Sequence, residues 1–154
     1  MGSHRRDRRP LLSAYLKGAV APLWILDLNR SKLPKGRKSH YLTAGISDHH
    51  VFVYWEGILI KLDELTGVEV KRSDCSKYGI SGAMLDEAAI LIPRPGAIIV
   101  FHKQTVLCLD ESLSRVLWSH HPDLQDNLLS SPVLDNGMLY FFQGHGKGVP
   151  APRH

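Results

Sequence analysis

The 154-residue sequence has few cysteines: Cys75 and Cys108 are the only two, and they form no Cys-x-x-Cys motif. A disulfide framework is not expected, because a chain of this length can bury enough apolar surface without a covalent staple. Cys108 lies inside an apolar run and is predicted to be a small core residue. No run of about 18 apolar residues occurs either, so no transmembrane helix is expected.

The N-terminal segment carries no convincing export signal. Its arginines at residues 5–9 precede a short apolar stretch at residues 11–16, in the order found in signal peptides. Lys17 ends that stretch, and no clear Ala-x-Ala cleavage site follows. The location stays unknown, with the cytoplasm as the default expectation.

Positive charge is unevenly distributed. Residues 1–40 hold ten Lys and Arg against two acids, whereas residues 41–154 hold nine against thirteen, so the body of the chain is mildly acidic. This balance argues against a basic nucleic-acid groove built into the fold. A basic cluster could instead contact phosphates or an acidic partner, although no aromatic residues are interleaved for base stacking, and a solvated loop is the favoured interpretation. The cluster comprises Lys32, Lys35, Arg37 and Lys38, together with the arginines at residues 5–9.

From residue 41 onward, short runs of β-branched and aromatic residues alternate with turn residues, and no window of a dozen residues keeps a helical period. This pattern predicts an all-β fold. Several runs are apolar at every position, which implies burial on both faces, as in small sheets that stack face to face. The runs lie at residues 51–55, 58–60, 68–70, 89–92, 97–101, 105–109, 116–118 and 138–142.

The sequence repeats at the length of one four-stranded sheet. Shifting the chain by 47 residues superimposes residues 51–63 on 98–110 without a gap. The turn at residues 48–51 matches residues 135–138, another 40 positions beyond the second copy, and residues 24–29 form a fainter copy of a second half-repeat. Spacings of 40 to 47 residues are typical of propeller blades.

The repeat resembles a known family. Residues 56–67 read Glu-Gly-Ile-Leu-Ile-Lys-Leu-Asp-Glu-Leu-Thr-Gly and are similar to the PQQ-like β-propeller repeat, G-x-L-x-A-L-D-x-x-T-G-x-x-x-W. Residues 104–118 keep Leu109, Asp110 and the closing Trp118. Residues 130–140 resemble the S-S-P-V-x-x-x-G-x-V-Y opening of such a blade. The resemblance covers roughly residues 20–145 and implies a partial propeller of about three four-stranded blades, or a fragment of a larger one.

Two departures from the repeat matter. Lys71 stands where the first copy should have its tryptophan, and Gln104 stands where the second should have its glycine. In the family that tryptophan packs between neighbouring blades, so the resemblance implies a looser interface after the first copy. The turn residues Asp63, Thr66 and Gly67, which match the repeat, are expected to be structural, because a carboxylate can bind turn amides and glycine accepts a positive φ.

The predicted organisation has three parts. Residues 1–20 form a basic N-terminal extension, residues 21–145 the propeller blades, and residues 146–154 a flexible tail. The blades divide at about 21–40 (partial), 41–75, 76–122 and 123–145 (partial). Closed rings have typically four to eight blades. The chain is therefore a fragment, an open stack, or a module that associates with further blades, which includes self-association.

No catalytic, cofactor-binding or metal-binding residue is predicted, and no cofactor is expected. The pairs His49-His50 and His120-His121 are adjacent in predicted strands, so their side chains point to opposite faces and do not chelate one ion easily. Residues 144–148, Gly-His-Gly-Lys-Gly, lack the helix that would complete a phosphate site. The acid pairs Asp86-Glu87 and Asp110-Glu111 are interpreted as solvated turn residues. Neither the HExxH motif of zinc proteases nor the GxSxG motif of serine hydrolases occurs. Asn29-Arg30-Ser31 fits a glycosylation acceptor, which matters only in a secreted protein.

These observations favour a non-catalytic propeller module that acts as a scaffold for a protein partner. The first alternative is a fragment of a PQQ-dependent quinoprotein dehydrogenase, which would need calcium-binding acids and amides. The second alternative is a binder of an acidic partner through the basic N-terminal segment. Nucleic acid is not the expected partner.

Overall fold

The structure is a computed structural model that describes residues 11–28, 42–55, 57–79, 89–102, 105–120, 127–128, 133–140 and 143–144. Its regular structure is almost entirely antiparallel β-sheet, as the sequence predicts, with one short 3-10 helix at Cys75–Tyr78. Across these residues, no helix is long and apolar enough to cross a membrane.

Two complete four-stranded sheets form the centre of the chain, and each is called a blade below. Both are meanders in which consecutive strands pair antiparallel. Blade 1 contains β3 (Leu42–Ser47), β4 (His50–Trp55), β5 (Ile58–Asp63) and β6 (Glu69–Asp74). Blade 2 contains β7 (Ile90–Arg94), β8 (Ala97–His102), β9 (Thr105–Asp110) and β10 (Val116–His120).

A two-stranded hairpin flanks the blades at each end. The N-terminal hairpin pairs β1 (Leu11–Ala14) with β2 (Trp24–Asp27). Toward the C-terminus lie β11 (Asn127–Leu128), β12 (Val133–Asp135), β13 (Met138–Tyr140) and β14 (Gln143–Gly144), of which β12 and β13 form the C-terminal hairpin. Here β12 pairs with β13 and β11 with β14, both across the Asn136-Gly137 turn. Strand β1 begins inside residues 1–20, so residues 11–28 form one hairpin across the expected boundary between extension and blades.

The second and third strands of each blade are buried on both faces, which confirms the interpretation of the continuous apolar runs. Alternate residues of β4 point to opposite sides: Phe52 and Tyr54 pack against blade 2, whereas Val51, Val53 and Trp55 face the N-terminal hairpin. Each fully buried large apolar side chain contributes about 1.5–3 kcal/mol. Stacking of the sheets therefore supplies the core of this fold.

Three apolar clusters fill the spaces between successive sheets. The first joins blade 1 to blade 2 and includes Phe52, Leu59, Ile98 and Leu107. The second lies between the N-terminal hairpin and blade 1, and the third lies between blade 2 and the C-terminal hairpin. Cys108 is buried in the third cluster, as predicted, and burial raises the pKa of its thiol.

The first strands of the two blades approach each other closely at Gly45. A Cβ atom at this position would lie 2.7 Å from both Cγ and Cδ of Pro93, so an alanine there requires a shift. The lack of a side chain at Gly45 lets β3 and β7 lie close together. Gly45 also lowers the local β propensity, and β3 was for this reason not predicted as a strand from the sequence.

The third copy of the repeat is offset by one residue from the predicted alignment. The turn between β12 and β13 pairs Asp135 with Met138, in the way that Arg94 pairs with Ala97 in blade 2. The shift from Ala97 to Met138 is 41 positions, so the predicted 40 was wrong. A slip of one residue would reverse the faces of the strand.

Candidate interaction surface

Two of the turns in each blade lie at one end of the blades, and this end is called the turn face. It carries the β3–β4 and β5–β6 turns of blade 1 and the β7–β8 and β9–β10 turns of blade 2. The backbone N–H of Glu64 donates to the carbonyl oxygen of His49 at 3.3 Å, which joins the two turns of blade 1. The antiparallel meander dictates this arrangement, because every second connection returns to the same end.

Asp63 organises the β5–β6 turn. Its Oδ1 accepts hydrogen bonds from the backbone N–H groups of Leu65 and Thr66 and from Thr66 Oγ1, at 2.9 to 3.1 Å. The hydrogen bonds from Thr66, backbone first and then side chain, hold the pKa of Asp63 below its ordinary value. Gly67 completes the turn with a φ of +69°. These contacts support the structural role expected for Asp63, Thr66 and Gly67.

Asp110 builds the corresponding turn of blade 2 without a Thr-Gly pair. Its Oδ1 accepts from the backbone N–H groups of Ser114 and Arg115 at 2.8 and 3.0 Å, and its Oδ2 accepts from Ser112 Oγ at 2.6 Å. Desolvation opposes ionisation here, but the hydrogen bonds outweigh it and lower the pKa of Asp110. Leu113, at φ +58°, takes the left-handed position. The hydroxyl of Ser112 and the backbone N–H of Ser114 therefore replace the contacts that Thr66 makes in blade 1.

In each blade, the side chain of one glutamate also links the two turns. In blade 1, His49 Nδ1 lies 2.7 Å from Glu64 Oε1, and this hydrogen bond and the charge of Glu64 raise the pKa of His49. In blade 2, the backbone N–H of Gly96 donates to Glu111 Oε2 at 3.1 Å. Glu64 and Glu111 are 47 positions apart, so one repeat position serves the same purpose twice.

Trp24 docks the N-terminal hairpin onto the turn face of blade 1. Its indole Nε1 donates to the carbonyl oxygen of Glu64 at 2.8 Å. The ring covers Gly67 so closely that a Cβ there would lie 2.5 to 2.9 Å from Cδ2, Cε3 and Cγ of Trp24. Trp24 lies in the faint repeat copy at residues 24–29, but this contact was not predicted from the sequence. The signal that points to it is the 47-residue spacing from Trp24 to Lys71 and from Lys71 to Trp118.

Lys61 reaches the corresponding carbonyl between blades 1 and 2. Its Nζ donates to the carbonyl oxygen of Glu111 at 3.2 Å and lies 5.8 Å from the centroid of the Phe52 ring. Lys61 is the direct cross-strand partner of Lys71, the residue that replaces the repeat tryptophan. A lysine on the third strand thus makes the hydrogen bond that a tryptophan on the fourth strand makes one repeat earlier.

The turn face combines carboxylates, exposed at Asp48 and half-buried at Glu64 and Glu111, with exposed apolar side chains. Leu65, at the tip of the β5–β6 turn, is 65% exposed, and Val68 beside it is also exposed. Carboxylates of Asp48, Glu64 and Glu111 surround this end of the blades. Apolar side chains of this size surrounded by charge are features of protein-binding surfaces.

Other residues considered from the sequence are placed as follows. His50 contacts the carbonyl oxygen of Asp48 through Nδ1 at 2.8 Å, a different partner from that of His49. Among the residues that the structure describes, no group of three His, Cys, Asp or Glu is arranged to hold a metal ion. Several candidate features lie outside the described residues: the arginines at 5–9, residues 29–38, Asp86-Glu87, Gln104, His121 and residues 145–148.

Comparison with known proteins identifies the architecture. No family model matches the chain, and no curated protein matches it. Among solved structures it is similar to the crystal structure of BamB from Moraxella catarrhalis, with a TM-score of 0.52 and 18% sequence identity over 80% of this chain. The fold is a partial β-propeller. The chain spans 34% of the length of BamB, and likeness at this identity concerns the fold alone.

The comparison agrees with the stacked four-stranded sheets of the fold. Each complete blade is a four-stranded antiparallel meander, and successive blades bury their faces against one another. A propeller exposes its turns at the two ends of the ring axis, where they are free of the demands of packing. The turn face is one of these ends.

Proposed function

We propose that the protein is a non-catalytic propeller module whose turn face binds a protein partner. The observation that carries this proposal is the exposed Leu65, held on a turn that Asp63 fixes with three hydrogen bonds. A side chain on a fixed turn loses little backbone freedom on binding, so its burial contributes more to affinity than that of a mobile side chain.

The charges around Leu65 specify the chemistry of the partner. Asp48, Glu64 and Glu111 place carboxylates on the same face, and the body of the chain from residue 41 onward is acidic. Complementary charge increases the association rate and selects among partners. The partner we propose therefore presents an apolar pocket surrounded by Lys and Arg.

Capture experiments with single variants test the proposal. The purified chain is immobilised, bound proteins are identified by mass spectrometry, and the dissociation constant of the principal partner is measured. Leu65→Glu is expected to weaken binding at least tenfold, and higher salt is expected to weaken it further. Leu117→Glu, on the outer strand of blade 2, is the matched control and should bind as the parent does. Equal binding by the two variants, or the absence of any partner, would contradict the proposal.

The quinoprotein alternative makes a different prediction. A dehydrogenase fragment that retains its cofactor site would bind PQQ in the presence of Ca²⁺. Addition of both to the pure protein, followed by gel filtration and absorbance of the protein peak, distinguishes the two functions. A stoichiometric bound chromophore would contradict the non-catalytic assignment.

A further inference from the structure

The N-terminal hairpin has the register of the outer half of a blade. In blade 1 the third and fourth strands pair Lys61 with Lys71, and in blade 2 they pair Cys108 with Trp118. The N-terminal hairpin pairs Ala14 with Trp24. The two residues of each pair are the same number of positions apart, and corresponding residues of successive pairs are 47 positions apart. Strands β1 and β2 are therefore the third and fourth strands of a blade.

The C-terminal hairpin has the register of the inner half of a blade. Its two-residue Asn136-Gly137 turn follows the pattern of the turns that join the first and second strands in blades 1 and 2. Leu134 and Leu139 pack against the face of blade 2 that points away from blade 1. Within the described part of the chain, β13 pairs only with β12, and β1 pairs only with β2.

Apolar surface is also exposed beside both hairpins, where the other half of a blade would cover it. On β3, Ile46 is 64% exposed, and Leu42 is exposed on the same face. This face points toward the N-terminal hairpin, because Ile46 pairs with Val51 of the cluster between that hairpin and blade 1. The outer half of a neighbouring blade is present here, but no described strand covers β3.

The C-terminal hairpin shows the complementary exposure. Val133, Met138 and Tyr140 are 60%, 57% and 55% exposed, on the face opposite to Leu139. These residues occupy first and second strands, and in the complete blades such strands pack against the first and second strands of the next blade. Trp118 on β10, which is 42% exposed, lies where an outer half would cover it. Among the described strands, the N-terminal hairpin therefore has no inner half-blade beside it, and the C-terminal hairpin has no outer one.

We propose that two copies of this chain complete each other's half-blades, with β13 of one copy pairing with β1 of the other. Each copy contributes two complete blades, and each of the two junctions adds one composite blade, so a two-copy ring contains six. Six lies within the four to eight blades of closed propellers, whereas the described residues of one copy form two complete blades. Closure removes the exposed edges of β1 and β13, which otherwise favour uncontrolled association.

The register of blade 2 specifies the contacts of the composite blade. There β8 and β9 pair Ile99 with Cys108. The corresponding residues, 41 positions after Ile99 and 94 before Cys108, are Tyr140 of one copy and Ala14 of the other. Opposed residues on paired antiparallel strands have Cα atoms about 4.5–5.5 Å apart, within the range that a disulfide spans.

The mass in solution and a cross-link test the proposal together. Light scattering of the unmodified protein is expected to give about 34 kDa, twice the 17.2 kDa of one chain. Mixing the single variants Ala14→Cys and Tyr140→Cys under mild oxidation should give a disulfide-linked dimer in non-reducing gels. Mixing Ala14→Cys with Leu139→Cys is the matched control, because a shift of one residue places the side chains on opposite faces. The native Cys75 and Cys108 are buried.

The possible outcomes are distinct. A monomer at about 100 µM protein, a larger assembly, or equal cross-linking in both mixtures would overturn the proposal. Ile46→Glu with Met138→Glu should weaken the dimer at least tenfold, whereas Leu65→Glu on the turn face should leave its mass unchanged. The same Leu65 variant tests the proposed partner surface, so failure of one proposal is separable from failure of the other. If the cysteine variants fold poorly, the mass of the unmodified protein still decides.

Discussion

Replacing Gly67 with alanine tests whether Trp24 docks on the turn of blade 1 as described. The new Cβ would lie 2.5 Å from Trp24 Cδ2, in contact with a ring whose Nε1 is hydrogen-bonded to Glu64. The indole must move away, which removes that hydrogen bond and part of the packing between the N-terminal hairpin and blade 1. Alanine must in addition adopt a φ of +69°.

The magnitude follows from these separate effects. A left-handed φ costs alanine about 1–2 kcal/mol. Loss of the hydrogen bond costs about 1 kcal/mol net, and displacement of part of the indole about 1 kcal/mol more. We expect Gly67→Ala to lower the free energy of unfolding by about 3–4 kcal/mol. Gly96→Ala is the matched control, because Gly96 has a φ of +81° and no atom within 4 Å of its would-be Cβ. It should cost about 1–2 kcal/mol, from backbone strain alone.

Urea unfolding followed by circular dichroism measures both changes, and a double-mutant cycle isolates the contact. In a Trp24→Ala background the added cost of Gly67→Ala should fall to that of Gly96→Ala, a coupling of about 2 kcal/mol between Trp24 and Gly67. Equal costs for the two glycine variants in the parent background would refute the docking of Trp24 on Gly67.

Three further predictions follow from single contacts. Gly45→Ala should destabilise the protein by about 1–3 kcal/mol, measured by urea unfolding, because its methyl group overlaps Pro93 where the first strands meet. The His49 pKa, measured by NMR titration, should lie above the ordinary 6.5 and fall toward it in Glu64→Gln. The raised pKa means that the stabilisation from this pair is complete below the unfolded pKa and is lost as the pH rises through the folded one. Asp63, whose pKa is lowered, stabilises the fold above its unfolded pKa and loses this effect as the pH falls through the folded one, so Asp63→Asn should flatten the acid limb of a Tm-against-pH curve.

The paired hairpins connect these local contacts to the assembly of the protein. Trp24 attaches the outer half of a blade to blade 1, and Leu134 and Leu139 attach the inner half of another to blade 2. If two copies join as proposed, unfolding becomes concentration-dependent, because subunit association then adds to the stability of each chain. Measurements on Gly67→Ala should therefore be made at one fixed protein concentration.

The all-β fold could be predicted from sequence because its signals are local. The runs at residues 51–55 and 97–101 are apolar at every position, and only a strand buried on both faces requires such a pattern. The 47-residue period was readable for the same reason, since both copies fold into the same strands and the same Asp-centred turns. Strand β3 was not recognised from the sequence, because its Gly45 permits the close approach of Pro93 and has a low strand propensity.

The interaction surface could be predicted only in part. The Asp63, Thr66 and Gly67 turn was recognisable, since its residue types match the hydrogen bonds and the positive φ of a tight turn. The contact of Lys61 with the carbonyl oxygen of Glu111 was not, because it joins residues 50 positions apart through a flexible side chain. A lysine in a strand carries no local signal of the carbonyl that it will reach.

The sequence by itself determined the buried central strands of the two blades, their turns and the repeat, because burial on two faces and turn geometry leave a pattern in neighbouring residues. Tertiary structure alone decided which sheets meet, which one-residue register the third copy adopts, and which strands stay half-covered at the two ends. Those outcomes depend on packing between segments far apart in the chain, where one residue of offset exchanges the buried face of a strand for the exposed one.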